Sequence, residues 1–311
     1  MASEIHLSVV IPVYNEQESI PELSHRLTEV CRSLKKGHEI LFVDDGSSDG
    51  TLEAIRGVRK TDRNIAGLSL AKNSGKANAY AAGFDAARGE VVITMDGDLQ
   101  DRPEQIPEFL AKIDEGYDLV TGWKYTGKGK RTWSSRLFNR LVRAWTKLDI
   151  HDTNCPFKAY RREVVKNLKV YGTLYRFIPA LAYWKGYRVA EIKVENDPRK
   201  HGATKYGPGR FLGGFFDLLT VTFLTQYIKR PLHFFGLAGL VLGSAGFFID
   251  LAIVIKGLIS GRVGHQAMLL LGLVLIIIGV QFIFAGLLAE MLFRLYQEQG
   301  REVPVYRRLD G

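Results

Sequence analysis

The sequence predicts an α/β domain built on a mostly parallel sheet, followed by interfacial amphipathic helices and two C-terminal transmembrane helices. Three observations carry that reading. Short apolar runs alternate with helix-like stretches through the first 121 residues, two long arms near the C-terminus are almost free of charge, and a dense basic stretch lies between these regions. At 311 residues the chain exceeds the usual size of one domain, so two structural units are expected.

The first run, residues 7–13, is apolar apart from Ser8 and passes through Pro12; residues 39–43, 65–70, 91–95 and 118–121 repeat the pattern. Between them, residues 17–34, 50–59, 76–88 and 103–115 read as helices. Near-continuous apolar strands separated by crossover helices make a parallel sheet covered on both faces. Ligands of such sheets bind beyond the carboxyl ends of the strands. The acidic clusters fall there: Asp44 and Asp45 follow the second run, and Asp96 and Asp98 follow the fourth.

From Leu232 to Ala289 the only charged residues are Asp250, Lys256 and Arg262. Residues 232–255 and 267–289 each supply the roughly 20 apolar residues a membrane helix needs, joined by a polar turn at 256–262. Lys229, Arg230, Arg294, Arg301, Arg307 and Arg308 outnumber the cations of the turn, which places the large N-terminal region in the cytoplasm and makes the chain an integral membrane protein. Asp250, five or so residues before the turn, either reaches the far interface or makes a polar contact between helices or subunits. Gly236, Gly239, Gly243 and Gly246 permit close helix packing, including that of a homo-oligomer. The expected division is 1–206 for the α/β domain with a basic helix near 133–148, 207–230 for a juxtamembrane interfacial region, 231–290 for the membrane hairpin and 291–311 for a cytoplasmic tail.

The balance of 42 Lys plus Arg against 33 Asp plus Glu, a formal +9, calls for an acidic partner: nucleic acid, a phosphorylated metabolite or an anionic membrane. Two distant cysteines, Cys31 and Cys155, make neither a disulfide framework nor a zinc module. The first run is followed by Tyr14-Asn-Glu16 rather than a Gly-x-Gly-x-x-Gly turn, and no Gly-Lys-Ser/Thr occurs, so nicotinamide and P-loop readings lose support. Asp96 and Asp98, one glycine apart, allow two carboxylates to approach a hard divalent cation, with Gln100 and Asp101 available to complete or orient the shell. Taken alone, a solvated acidic turn or a helix cap before Pro103 explains them as well.

Four blocks narrow the choice: Val9-Val-Ile-Pro-Val-Tyr-Asn-Glu16, Val43-Asp-Asp-Gly-Ser-Ser-Asp-Gly-Thr51, Asn73-Ser-Gly-Lys76 and Met95-Asp-Gly-Asp-Leu-Gln-Asp-Arg-Pro103. Together they resemble the inverting family-2 glycosyltransferases of GT-A fold. With Asp152-Thr-Asn-Cys-Pro-Phe-Lys158, Arg199-Lys-His-Gly-Ala-Thr-Lys-Tyr206 and the two C-terminal arms, the whole chain is similar to polyprenyl-phosphate glycosyltransferases, among them bactoprenol-phosphate glucosyltransferases and dolichol-phosphate mannose synthase. The resemblance implies that Pro12, Tyr14 and Glu16 line the nucleotide pocket, that Asp44 contacts base or ribose, and that Lys76 also serves the nucleotide sugar. It further implies that Asp96 and Asp98, with Gln100, hold Mg2+ or Mn2+ on the diphosphate, that Asp98 and Asp152 are catalytic, and that Arg199 and Lys205 close over the diphosphate. Lys124, Arg131 and Arg136 match positions associated with the lipid phosphate, Lys124 standing where arginine is more usual. Asp45, Ser47 and Asp49 fit equally well as caps of the following helix, and Pro12 as a strand end.

Residues 124–147 hold eight cations and no acid, and from Trp133 onward Leu137, Leu141, Trp145 and Leu148 recur at helical spacing. Such a stretch suits a headgroup interface, and a solvated surface helix is the plainer alternative. The expected activity is inverting transfer of a hexose, foremost glucose from UDP-glucose, to undecaprenyl phosphate. GDP-mannose is the competing donor, and a nucleotide-sugar-binding or lipid-translocating module is the non-enzymatic alternative. Processive polysaccharide synthesis lacks its Gln-x-x-Arg-Trp motif, and nucleic acid is set aside as a partner.

Overall fold

A computed structural model describes residues 5–124, 148, 150–168, 174–198, 231–260 and 266–299. The chain divides into two compact units, residues 1–218 and 219–311. Both the boundary expected at 206 and the juxtamembrane segment 207–230 lie outside the described residues, as do the basic stretch 125–147, Arg131, Arg136, Arg199 and Lys205.

The first unit is a seven-stranded sheet of order β3-β2-β1-β4-β6-β5-β7, with β1 Leu7–Val13, β2 His38–Asp44, β3 Ile65–Ser69, β4 Val91–Thr94, β5 Leu119–Lys124, β6 Lys158–Arg161 and β7 Val189–Val194. Only β6 runs against its neighbours β4 and β5. Alternation along β1 sends Leu7, Val9, Ile11 and Val13 into one buried cluster and Val10 into the other. The first cluster is closed by α1 (Ile20–Ser33), α2 (Thr51–Thr61) and α4 (Ile106–Asp114), the second by α3 (Lys76–Ala86), α5 (Arg162–Asn167) and α6 (Ile178–Trp184). Helices therefore cover both faces, as the continuous apolar strands require.

Several boundaries differ from expectation for visible reasons. The first helix begins at Ile20, with Pro21 in its first turn, because residues 15–17 bond to the loop after β2: Asn15 N–H donates to Ser47 Oγ (2.9 Å) and Glu16 N–H to Thr51 Oγ1 (2.9 Å). The third helix ends at Ala86 because Arg88 is drawn onto buried Glu39, its N–H donating to Oε1 (2.8 Å) and its guanidinium to Oε2. Pro12 lies inside β1, two residues beyond Val10, the last residue paired to β4, so its missing N–H faces the side where β4 has ended.

The second unit is a hairpin of α7 (Pro231–Ser260) and α8 (Gln266–Gln299), and both helices are long and apolar enough to cross a membrane. Each outruns its expected span. The supposed turn from Lys256 to Ser260 is helical, and the tail expected from 291 begins no earlier than 300. Apolar surroundings favour this continuation, since only a helix satisfies its own backbone groups there. Gly239 and Gly246 are taken up within the hairpin: a Cβ on either would come within 2.5 Å or 2.4 Å of the carbonyl oxygen of Gly279 or Gly272. Asp250 stands ten residues before the end of α7, about 15 Å along the axis. Its carboxyl rests on Gly272, and its Oδ1 is buried without a hydrogen-bond partner among the described residues.

Candidate active site

The carboxyl ends of β1, β2, β4 and β5 and the amino end of the reversed β6 share one edge of the sheet. A cavity of about 250 Å3 opens there, bringing together Lys76, Asp96, Gln100, Lys124 and Asp152 among the residues singled out from sequence. Pro12, Tyr14, Glu16 and Asp44 lie outside its lining, along the same edge at the ends of β1 and β2.

After β4, Met95, Gly97 and Leu99 turn inward while Asp96, Asp98 and Gln100 stay partly exposed. Leu99 has a φ of 63°, a left-handed conformation that disfavours L side chains by about 1–2 kcal/mol. Its complete burial in the main apolar cluster compensates. Three oxygen-bearing side chains thus project from one short loop. Gln100 N–H donates to Asp98 Oδ1 (3.2 Å). Asp101 points inward instead, accepting from Asp96 N–H at 3.1 Å and lying 3.3 Å from Lys124 Nζ, so it braces the loop from behind.

Lys76, the first residue of α3, ion-pairs with Asp96 and lies 5.7 Å and 5.8 Å from the ring centres of Tyr80 and Tyr175. Burial alone would raise the Asp96 pKa, but Lys76, with Lys124 and Lys158 behind it, more than offsets that and holds it below the usual carboxylate value. Burial works against the charge of Lys124 as well; Asp101, Cys155 and Asp96 outweigh it and hold the ammonium above its ordinary pKa. Lys76 is placed by Asp45, whose two oxygens accept from Ser74 N–H (2.8 Å) and Gly75 N–H (2.9 Å). That corrects the reading of Asp45 as a cap of the following helix, whose N-cap is Gly50; Asp49, one residue earlier, accepts from Thr51 N–H at 3.0 Å. The two loops meet so closely at Gly46 that a Cβ there would lie 2.4 Å from the Lys72 carbonyl carbon. Asp44 is buried, with Ser47 N–H on one oxygen (3.0 Å) and Ser69 Oγ on the other (3.1 Å).

Asp152 enters from the segment before β6. Glu191 on β7 accepts from the N–H groups of His151 and Asp152 at 2.8 Å, and the His151 ring stacks on Trp123 at 4.1 Å. Asp152 Oδ1 accepts from Asn154 N–H (3.0 Å), closing a tight turn whose carboxylate lines the cavity. Sequence reasoning missed the supports Glu191, Tyr80, Tyr175 and Arg176, which no local motif marks, and the role of Lys158, whose signal was a lysine inside the apolar run 155–160.

The donor set fits a divalent cation. Asp96, Asp98 and Gln100 offer only oxygen, as Mg2+ and Mn2+ prefer, and one or two carboxylates plus substrate oxygens make an ordinary Mg2+ shell. Among the described residues no group of three or more His, Cys, Asp or Glu side chains is arranged to hold a metal. The remaining ligand positions would fall to substrate oxygens and water.

Residues 8–169 match the Glycosyl transferase family 2 domain. A dodecaprenyl-phosphate galacturonate synthase of Rhizobium johnstonii is 37% identical over 300 residues, 94% of this chain and 89% of that protein. Among solved structures, a mannosyltransferase from Pyrobaculum calidifontis in complex with GDP-Man and Mn2+ is 20% identical with a TM-score of 0.52, covering 72% of this chain and 64% of that one. Glucosyl-3-phosphoglycerate synthase from Mycobacterium tuberculosis with Mn2+ and UDP-Glc is 20% identical with a TM-score of 0.53, covering 71% and 78%. At such identities the two structures speak for the fold alone. The acidic loop at the end of β4, the half of the sheet that precedes it and the matched span agree: the chain belongs to glycosyl transferase family 2, with a GT-A-like domain followed by two apolar helices.

Proposed function

We propose that the protein transfers a sugar from a nucleotide sugar to a polyprenyl phosphate at the cytoplasmic face of the cell membrane, with inversion and with Mg2+ or Mn2+ as cofactor. The observation that carries the reading is the meeting of the Asp96 loop, Lys76 and Lys124 with Asp152 in one cavity of a chain that also bears two membrane-length helices. The Rhizobium relative supports the acceptor and changes the expectation about the donor, since that protein is a galacturonate rather than a glucose synthase. UDP-galacturonate therefore stands first among the donors to test, ahead of UDP-glucose and GDP-mannose.

When bound, the cation acts as a Lewis acid toward the departing nucleoside diphosphate. Asp96, Asp98 and Gln100 would hold it, and Lys76 adds positive charge at the same loop. The acceptor is a phosphate monoester whose second pKa is about 6, so at neutral pH it is already largely a dianion and needs orientation more than deprotonation. Asp152, fixed from below by Glu191, is placed to orient it. Lys124, together with Arg131 and Arg136, is assigned to the lipid phosphate, and Arg199 and Lys205 to the diphosphate. Purified protein in lipid nanodiscs, given polyprenyl phosphate, Mn2+ and each donor in turn, should yield a lipid-linked sugar with one of them; no product from any nucleotide sugar sinks the proposal. Asp96→Asn and Asp98→Asn should each lower kcat by about a hundredfold or more.

A further inference from the structure

Lys158 begins β6 at the wall of the cavity, and only 3% of it is exposed. Its ammonium donates to the Cys155 carbonyl and pairs with no carboxylate among the described residues. Its surroundings are otherwise settled: Thr94 Oγ1 donates to the Pro156 carbonyl at 2.8 Å and lies 3.4 Å from the Tyr160 hydroxyl. An ammonium taken out of water with no carboxylate in direct contact is costly to keep charged, and a Leu or Met would fill the same place on the strand without that penalty. Burial lowers the Lys158 pKa to about 8, with Lys76 acting in the same direction, even though Cys155, Asp152 and Asp96 are near enough to favour its charge. The buried cation thus lies between the loop that faces the donor diphosphate and the turn that faces the acceptor, with N–H groups to spare.

We propose that Lys158 is an oxyanion-binding residue of the transferase site, its ammonium taking a phosphate oxygen of a bound substrate between Asp96 and Asp152. The inference rests on the transferase reading and adds a substrate contact to it. A lysine suits the position because it is a compact point charge, whereas the wider fork of arginine needs room for two parallel bonds. Two phosphates reach this stretch, the diphosphate of the donor and the monoester of the lipid, and the experiment tells them apart.

The full chain in nanodiscs is compared as wild type, Lys158→Met and Lys158→Arg. UDP binding in the presence of Mn2+, the KM for polyprenyl phosphate and the Tm without ligand are measured for each. The Met variant is expected to bind UDP, the lipid phosphate or both at least tenfold more weakly. Its ligand-free Tm should equal or exceed that of the wild type, because the cost of burying the ammonium is gone, and the Arg variant should regain part of the affinity. Weakening confined to UDP assigns the contact to the donor diphosphate; weakening confined to the lipid assigns it to the acceptor. Both affinities within twofold of wild type overturn the proposal, leaving Lys158 only the Cys155 carbonyl to hold. Should the Met variant not fold, Lys158→Gln undergoes the same titrations. If the wild type makes no lipid-linked sugar from any donor, the transferase reading fails, while the UDP titrations still decide whether Lys158 meets a diphosphate.

Discussion

Asp45 shows how a single carboxylate sets the place of a lysine far along the chain. Its hydrogen bonds to Ser74 and Gly75 fix the turn that starts α3, and Lys76 follows directly. Asp45→Ala should lower kcat/KM for the donor ten- to a hundredfold, about 1.4–2.7 kcal/mol, and should be strongly non-additive with Lys76→Met in a double-mutant cycle. Additive losses would show that Asp45 acts elsewhere. Asp152→Asn is expected to lose the same factor of activity at every pH from about 7 to 9, where the acceptor is already ionised; a loss that shrinks as pH rises would make Asp152 a base instead. Asp96, Gln100 and Lys76, which meet at the cavity, stood out in the sequence because they sit in short motifs. Lys158 and Glu191 did not, since their significance comes from burial and from partners supplied by other strands.

At the scale of elements, β1 to β4, the start of β5 at 118–121 and the helices between them were legible from apolar runs. The later strands were hidden: β6 begins and ends with the cations Lys158 and Arg161, and β7 carries Glu191 and Lys193 on a half-exposed edge. Buried Glu39 ties β1, β2 and the end of α3 together, accepting from Ser8 Oγ (2.6 Å) and from Arg88. Burial would raise its pKa, but the Ser8 hydroxyl and the Arg88 N–H and guanidinium pull it below the model-peptide value. Because the folded pKa is the lower one, this contribution is complete above the unfolded value of about 4.3 and is lost as pH falls through the folded value. Glu39→Gln should therefore lower Tm at pH 7 and narrow that gap as pH drops below about 4; a pH-independent difference would contradict the assignment. In the hairpin, Gly239→Val should loosen the paired helices and hasten proteolysis in detergent, because its Cβ would meet the Gly279 carbonyl. Gly243→Ala should change little, since its Cβ would meet nothing within 4 Å.

For the whole molecule, the two apolar helices explain why a single average of composition says little: most of the charges belong to one unit and the long uncharged stretches to the other. Two crossings return the chain to the side from which it came. A cysteine at Ser33, exposed in the first unit, and one at Gly264, between the helices, should accordingly label from opposite faces of sealed vesicles. Both native cysteines are buried and should stay silent. Labelling of the two from the same face would refute the double crossing. The division into a sheet unit and a hairpin was visible in sequence, whereas the lengths of the helices were not, because a glycine and a lysine near Ser260 read as a turn when isolated from their apolar neighbours. The reversal of β6 has a last consequence. An antiparallel strand delivers its leading loop to the edge where parallel strands end, so the segment from 151 to 161 can vary while the ladder from β1 to β4 keeps its register. The proposed function then predicts that a relative's β6 segment, grafted here, carries acceptor preference with it while donor preference stays behind.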